Sequence, residues 1–70
     1  MTIKPRRFNH PMDFKHVGRQ AGEARKMGDE SRAKFESEHF RKMLAMEHAD
    51  YRSECYAAYA DGYKLGSGRL

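Results

Sequence analysis

The sequence predicts an all-α fold, an antiparallel helical hairpin whose long second helix extends beyond the first. Apolar residues recur at helical spacing, start and stop signals enclose two segments, and proline occurs only at positions 5 and 11. The predicted organisation is a flexible basic arm at 1–9, a helical hairpin domain at 10–66 and a flexible tail at 67–70.

The first helix is predicted at about 11–27. Pro11 suits a first turn, where its missing N–H has no helical partner, and Asp13 complements the helix dipole there. Asn9 or His10 would be the N-cap. Gly28, which follows two basic residues, marks the C-terminal end.

Small and apolar residues share one face of this helix. At 100° per residue the face contains Phe14, Val17, Ala21 and Ala24. Gly18 and Gly22, at the edge of this face, have the small-xxx-small spacing that lets two helix backbones approach closely.

The second helix is predicted to begin after Asp29 or Ser31 as N-cap, and to run from about 30 to 63. It contains no proline and no glycine before Gly62, and Gly66-Ser67-Gly68 would end it. The very short connection favours antiparallel neighbours. Because the two helices would span roughly 25 Å and 50 Å, the C-terminal half of the second is expected to overhang.

The second helix has two apolar faces separated by charged edges. One face contains Ala33, Phe40, Met43, Leu44, Tyr51, Cys55, Ala58 and Leu65, and the other contains Phe35, Ala45, Met46, Ala49, Tyr56, Ala60 and Tyr63. One edge is acidic, and the other carries Lys34, Arg41, His48 and Arg52. The first helix covers one side over half the length, so a second copy or another protein must cover the rest.

The composition also favours association. Leu, Ile, Val and Phe number nine of seventy residues, and a chain of this size buries only about 60% of its unfolded surface. Small scaffolds of this kind are usually stabilised by oligomerisation or by a partner. We therefore expect an oligomer, a dimer or larger, or a complex with a foreign protein.

All four tyrosines lie between positions 51 and 63. Tyrosine supplies contact area with little loss of conformational entropy and keeps a polar tip, which makes it frequent at binding hot spots. The predicted function is a non-enzymatic protein-binding module that presents this tyrosine- and methionine-rich face to its partner. The predicted interface comprises Phe35, Met46, Tyr51, Arg52, Tyr56, Tyr59, Asp61 and Tyr63.

Charge is distributed unevenly and suggests an alternative. Residues 1–28 carry seven Lys/Arg and two Asp/Glu, whereas residues 29–63 carry five and eight. A basic front of this kind is able to follow a phosphate backbone or to dock on an acidic protein surface. The predicted nucleic-acid-binding residues are Lys4, Arg6, Arg7, Lys15, Arg19 and Lys26, with Phe8 placed to stack on a base.

Motifs for catalysis and cofactors are lacking. No serine or cysteine has a nucleophile setting, and no glycine pattern forms a phosphate loop. Glu36 and His39 have the E-x-x-H spacing of di-iron bundles, but a solvated charged face explains them better. We expect no enzyme activity, no cofactor, no metal and no small-molecule substrate.

The sequence also bears on the compartment. One cysteine, Cys55, cannot form a disulfide within the chain and favours a reducing environment. The N-terminal residues lack an apolar signal region, and no apolar run approaches the length of a membrane span. We expect a cytoplasmic protein without a membrane partner.

The chain contains two distinctive stretches, HPMDFKHVGRQAGEARKMG at 10–28 and YRSECYAAYADGYKLG at 51–66. With its basic start, its Met-, Tyr- and Ala-rich helices and its lack of a catalytic motif, the chain resembles small helical accessory proteins of tailed bacteriophages. That resemblance implies a protein in the host cytoplasm that binds and inhibits, or redirects, a host or phage machine.

Overall fold

The computed structural model describes residues 5–68, and within that range it contains three helices and no strand. Helix α1 spans Pro11–Met27, α2 spans Glu30–Met46 and α3 spans Ala49–Ser67. The predicted all-α class is confirmed. None of these three helices combines the length and apolarity needed to cross a lipid bilayer.

The boundary signals of α1 act as the sequence predicts. His10 is the N-cap, and its side chain accepts a hydrogen bond from the Met12 N–H at 3.0 Å. Asp13 completes a capping box by accepting from the His10 N–H. Gly28 ends the helix in the left-handed region, with φ of 75°, and Asp29 then caps α2.

The prediction of one continuous second helix is wrong, because the chain turns at Glu47 and His48. Glu47 has an extended backbone, with φ of −86° and ψ of 147°. His48 is the N-cap of α3, and its side chain accepts from the Asp50 N–H at 3.0 Å. The turn contains neither glycine nor proline, so the usual sequence signals for a break are absent.

The segment before α1 holds this turn in place. The Glu47 side chain is buried, with 2% exposure. Its carboxylate accepts from the Phe8 N–H at 3.1 Å, from the Asn9 N–H at 2.7 Å and from the Asn9 side-chain amide at 3.0 Å. Because a buried carboxylate needs such donors, the turn and the segment before α1 stabilise each other.

The turn sends α3 back along α1, so the predicted overhang does not form. Gly18 of α1 lies against the backbone of Tyr59, and Gly22 lies against the backbone of Tyr63. Contacts later in α1 are therefore made with residues later in α3, and these two helices run parallel.

The approach of α1 and α3 depends on glycine in both helices. A Cβ added to Gly62 or Gly66 would overlap a carbonyl oxygen of α1, that of Lys15 or Arg19 respectively. The close approach predicted from Gly18 and Gly22 is thus confirmed. Its partner is the matching pair Gly62-xxx-Gly66, which lies inside α3 and does not end it.

The core lies where all three helices meet. The Phe14 ring of α1 meets the Phe40 ring of α2 edge to face, with centroids 6.0 Å apart. The opposite side of Phe40 stacks on Tyr59 of α3 at 3.9 Å. The buried cluster comprises Phe14, Val17, Phe40, Met43 and Cys55, with Leu44, Tyr51, Ala58 and Tyr59 packed against it.

Residues 5–9 precede α1 without regular secondary structure and pack on α3. The Tyr51 hydroxyl donates to the Pro5 carbonyl at 2.6 Å, and Arg7 forms an ion pair with Glu54 at 2.6 Å. At the other terminus, α3 ends at Ser67 and Gly68 is its C-cap. The rest of the predicted arm, residues 1–4 with Lys4, and residues 69–70 of the predicted tail lie outside the described range.

Candidate functional site

A groove runs between α2 and α3, with α1 as its floor. α2 and α3 contact each other far less than either contacts α1, so a channel remains between them. Its wider part has a volume of about 390 Å³ and a narrower part has about 250 Å³. The wider part is lined by Ala21, Arg25, Glu30, Ala33, Lys34, Ser37, Arg41 and Tyr63, and the narrower part by Arg41, Leu44, Ala45 and Arg52.

Arg41 borders both parts, which together are here called the α2–α3 groove. The spacing of residues along the two helices explains its walls. Lys34, Arg41 and Ala45 are seven and four residues apart, which places them on one side of α2. Arg52 and Tyr56 are four residues apart on α3 and share the facing side.

The α2–α3 groove is positively charged. Its lining includes the cations Arg25, Lys34, Arg41 and Arg52 but a single carboxylate, that of Glu30. Within residues 5–68, none of these four cations forms an ion pair. Cations left without a counter-charge in a concave surface attract acidic ligands.

Tyr63 holds one of these cations in place. The Arg25 Nε donates to the Tyr63 hydroxyl at 3.3 Å. This hydrogen bond raises the pKa of Arg25. On the other wall, the Arg52 Nε donates to the Glu47 carbonyl at 3.2 Å, which ties that cation to the turn between α2 and α3.

Tyr56 is the most exposed tyrosine, at 60% of its surface. The edge of its ring contacts Phe40, with centroids 5.7 Å apart. One side of the ring is thus supported by the core while the other faces solvent beside the groove. A supported, exposed aromatic ring is a typical binding anchor.

The structure divides the predicted interface residues among different surfaces. Arg52 and Tyr63 line the α2–α3 groove, and Tyr56 lies one helical turn after Arg52. Tyr51 and Tyr59 pack against the core. The remaining three, Phe35, Met46 and Asp61, are exposed on other faces of α2 and α3.

The helical turn explains why those three are separated from Tyr56 and the groove. Phe35 is six residues from Arg41, about 120° around α2, and there it stacks on His39. Met46 is eleven residues from Phe35 and shares that outer face. Asp61 is five residues from Tyr56, about 140° around α3.

The described residues of the predicted nucleic-acid-binding set are divided between the segment before α1, with Arg6 and Arg7, and one face of α1, with Lys15, Arg19 and Lys26. Arg7 is paired with Glu54 and lies over the Tyr51 ring at 4.1 Å, and its hydrogen bond to Glu54 raises its pKa. Arg19 pairs with Glu23 at 3.4 Å and, like Lys15, borders a shallow surface between α1 and α3.

Of the other residues in that set, Arg6 is exposed beside Phe8 and Lys26 is exposed in the last turn of α1. Lys4 lies outside the described residues. Two of the described cations are thus partly neutralised by carboxylates, which lowers the positive charge available to a phosphate backbone.

The sequence predicted the charged edge that contains Lys34, Arg41 and Arg52. It did not predict Arg25 or the floor of the groove as parts of a binding surface. In a continuous helix that edge is a convex, solvated surface. The turn at Glu47 divides this edge between the two walls of the groove, with Lys34 and Arg41 on α2 and Arg52 on α3. No local signal in the sequence marks that turn.

Three of the histidines make contacts that stabilise the fold. His10 and His48 cap helices, and His39 stacks on Phe35. Over residues 5–68, no three His, Cys, Asp or Glu side chains are grouped closely enough to hold a metal ion.

No protein-family model matches the chain, and neither the curated proteins nor the solved structures compared with it show significant similarity. The resemblance to phage accessory proteins therefore stays a prediction.

Proposed function

We propose that this chain is a non-enzymatic protein-binding module whose partner docks on the α2–α3 groove. The observation that carries the proposal is the exposure of Tyr56 one helical turn from Arg52, which lines a concave surface with unpaired cations. The groove supplies charge and shape, and Tyr56 supplies an aromatic anchor.

The environment of Tyr56 supports this role. Its contact with Phe40, which is itself held by Phe14 and Tyr59, fixes the ring before a partner arrives. A pre-positioned aromatic side chain loses little conformational entropy on binding. Phe35 is an exposed aromatic too, but it does not line the groove and stacks instead on His39.

Two further statements belong to the proposal. Phe14 pairs with Phe40, and Gln20 accepts a hydrogen bond from Arg32, so α1 and α2 form the antiparallel hairpin expected from the short Gly28-Asp29 connection. If the resemblance to phage proteins is correct, the partner belongs to a host or phage machine in the cytoplasm, and binding inhibits or redirects it.

The proposal is tested by affinity capture with matched variants. Tyr56→Ala and Phe35→Ala each remove an aromatic ring of similar exposure, 60% and 56%. Proteins captured from a lysate of the native host cell by the wild type and by Phe35→Ala should be lost with Tyr56→Ala. Circular dichroism should show unchanged helicity in both variants. Equal capture by all three proteins would mean that the groove is not the binding surface.

A further inference from the structure

We propose that the occupant of the α2–α3 groove is an acidic amphipathic α-helix supplied by a different protein. This inference rests on the proposed function and adds the chemistry of the partner.

The shape fits a helix. α2 and α3 both pack on α1 and have few backbone contacts with each other, which leaves room for a fourth helix between them, as in a four-helix bundle. The lining of the groove includes the small side chains of Ala21, Ala33 and Ala45, which let a helix approach closely. From Lys34 to Ala45 the wall formed by α2 rises about 17 Å, which matches three turns of a bound helix.

The cations are placed to pair with a helix that is acidic along its flanks. Lys34 and Arg41 are two turns apart on one wall, and Arg52 stands on the other. Carboxylates seven residues apart on a bound helix have the same spacing as Lys34 and Arg41. The alanines and Tyr56 then contact the apolar stripe of that helix, so both faces of an amphipathic segment are used.

A second copy of this chain is a poorer occupant. Two of its acidic side chains on α1 and α3 are already paired with cations, Glu54 with Arg7 and Glu23 with Arg19. Lys15 and Arg19 also border Leu65 on the same side of the molecule. A second copy that offered this face would bring its own cations towards those of the groove, which opposes association.

The test uses a designed probe with the full chain. The probe is a labelled amphipathic peptide of about 20 residues, long enough to be helical, with leucine on one face and glutamate on its flanks. A control peptide carries lysine in place of every glutamate. Labelled single-stranded and duplex DNA serve as the competing ligands, and binding is followed by fluorescence anisotropy at physiological salt.

Two variants with the same net charge distinguish binding in the groove from nonspecific electrostatic attraction. Lys34→Ala with Arg41→Ala removes two cations of the groove. Lys42→Ala with Lys64→Ala removes two cations that are exposed elsewhere. We expect the acidic peptide to bind the wild type, to lose at least about tenfold in affinity to the groove variant, and to bind the control variant within about twofold.

Several results would overturn the inference. One is that the acidic peptide does not bind, and another is that both double variants weaken its binding equally. Binding of the lysine peptide, or binding of DNA that is lost in the groove variant, would also contradict the inference. A dimer that dissociates in the groove variant would show that a second copy is the occupant. If the peptide fails while Tyr56-dependent capture persists, the partner is not an acidic helix but the proposed function stands.

Discussion

Glu47 accepts hydrogen bonds from both the backbone and the side-chain amide of Asn9, at 2.7 Å and 3.0 Å. These bonds connect the residue before the N-cap of α1 to the turn that separates α2 from α3. The buried carboxylate also accepts from the Phe8 N–H. Since that turn directs α3 back onto α1, one side chain couples the chain's N-terminal segment to the formation of the α2–α3 groove.

Replacing Glu47 by alanine should destabilise the protein strongly. The substitution leaves the N–H groups of Phe8 and Asn9 without their acceptor, and each bond to a charged group contributes about 1.5–3 kcal/mol. We expect the free energy of unfolding in urea to fall by at least about 2 kcal/mol. The matched control is Glu38→Ala, at an exposed position of α2, which should change it by less than about 0.5 kcal/mol. Equal effects would show that the Glu47 carboxylate does not hold the turn.

Gly62→Ala should destabilise the protein, although a glycine-to-alanine change in a helix usually stabilises it. In an isolated helix this substitution stabilises by about 1 kcal/mol. Here the added Cβ overlaps the Lys15 carbonyl oxygen, so α1 and α3 must separate. We expect a destabilisation of about 2 kcal/mol or more, seen in thermal unfolding as a drop in Tm of roughly 8–16 °C.

A reference for the Gly62 experiment comes from Ala57, which is exposed on the same helix. Ala57→Gly should destabilise by about 1 kcal/mol, as helix propensity alone requires. Should Gly62→Ala raise the Tm, the close packing of α1 and α3 would be wrong.

These two sites show what the sequence could and could not predict. His10, Gly28 and Asp29 act through neighbours a few residues away, so the bounds of α1 and the start of α2 follow from local signals. A glycine inside a helix is ambiguous, because it suits both a helix end and a close approach. Gly66 was therefore predicted to end the helix, and only its contact with the Arg19 backbone of α1 decides between the two.

The groove depends on contacts between residues that lie far apart in the sequence. The turn at Glu47 is fixed by donors 38 and 39 residues earlier in the chain, so no window around it contains the cause. The cations Lys34, Arg41 and Arg52 could be recognised as one charged edge. Their division between the two walls of a groove depends on the path of α3, which periodicity alone does not specify.

Phe40→Ala and Phe35→Ala should differ sharply although both remove a phenyl ring from α2. Phe40 is buried between Phe14 and Tyr59, and truncation of such a ring costs about 3–5 kcal/mol. Phe35 is exposed, and its loss should change stability by less than about 0.5 kcal/mol. Urea denaturation followed by circular dichroism measures both. Similar losses of stability in the two variants would show that the face of α2 with Phe40 does not form the core.

The Cys55 thiol should make stability depend on alkaline pH. Burial, aided by the negative charge of Glu47, raises the pKa of this thiol. The folded protein therefore holds the proton more tightly than the unfolded chain. The resulting stabilisation is fully present below the unfolded pKa of about 8.5, and it is lost as pH rises through the folded pKa.

Cys55→Ala isolates this effect from the other groups that titrate at alkaline pH. We expect the urea midpoint of the wild type to fall more between about pH 7.5 and pH 9.5 than that of the variant. In parallel, a thiol reagent should modify Cys55 slowly in the native protein and rapidly in urea, because the thiolate is the reactive form. Equal pH dependence in the two proteins would show that the thiol is not held in a low-dielectric site.

Without a partner, the chain should be monomeric and helical at micromolar concentration. An overhanging helix would have needed a second copy, but here α3 packs on α1, and Tyr51 and Tyr59 join the core of the same chain. Light scattering should therefore give the mass of one chain, and helicity should not change on dilution. A stable dimer would favour the self-association that the sequence suggests. If Lys34→Ala with Arg41→Ala then dissociated it, the groove would be the dimer interface, since two lost cations weaken only contacts that use them.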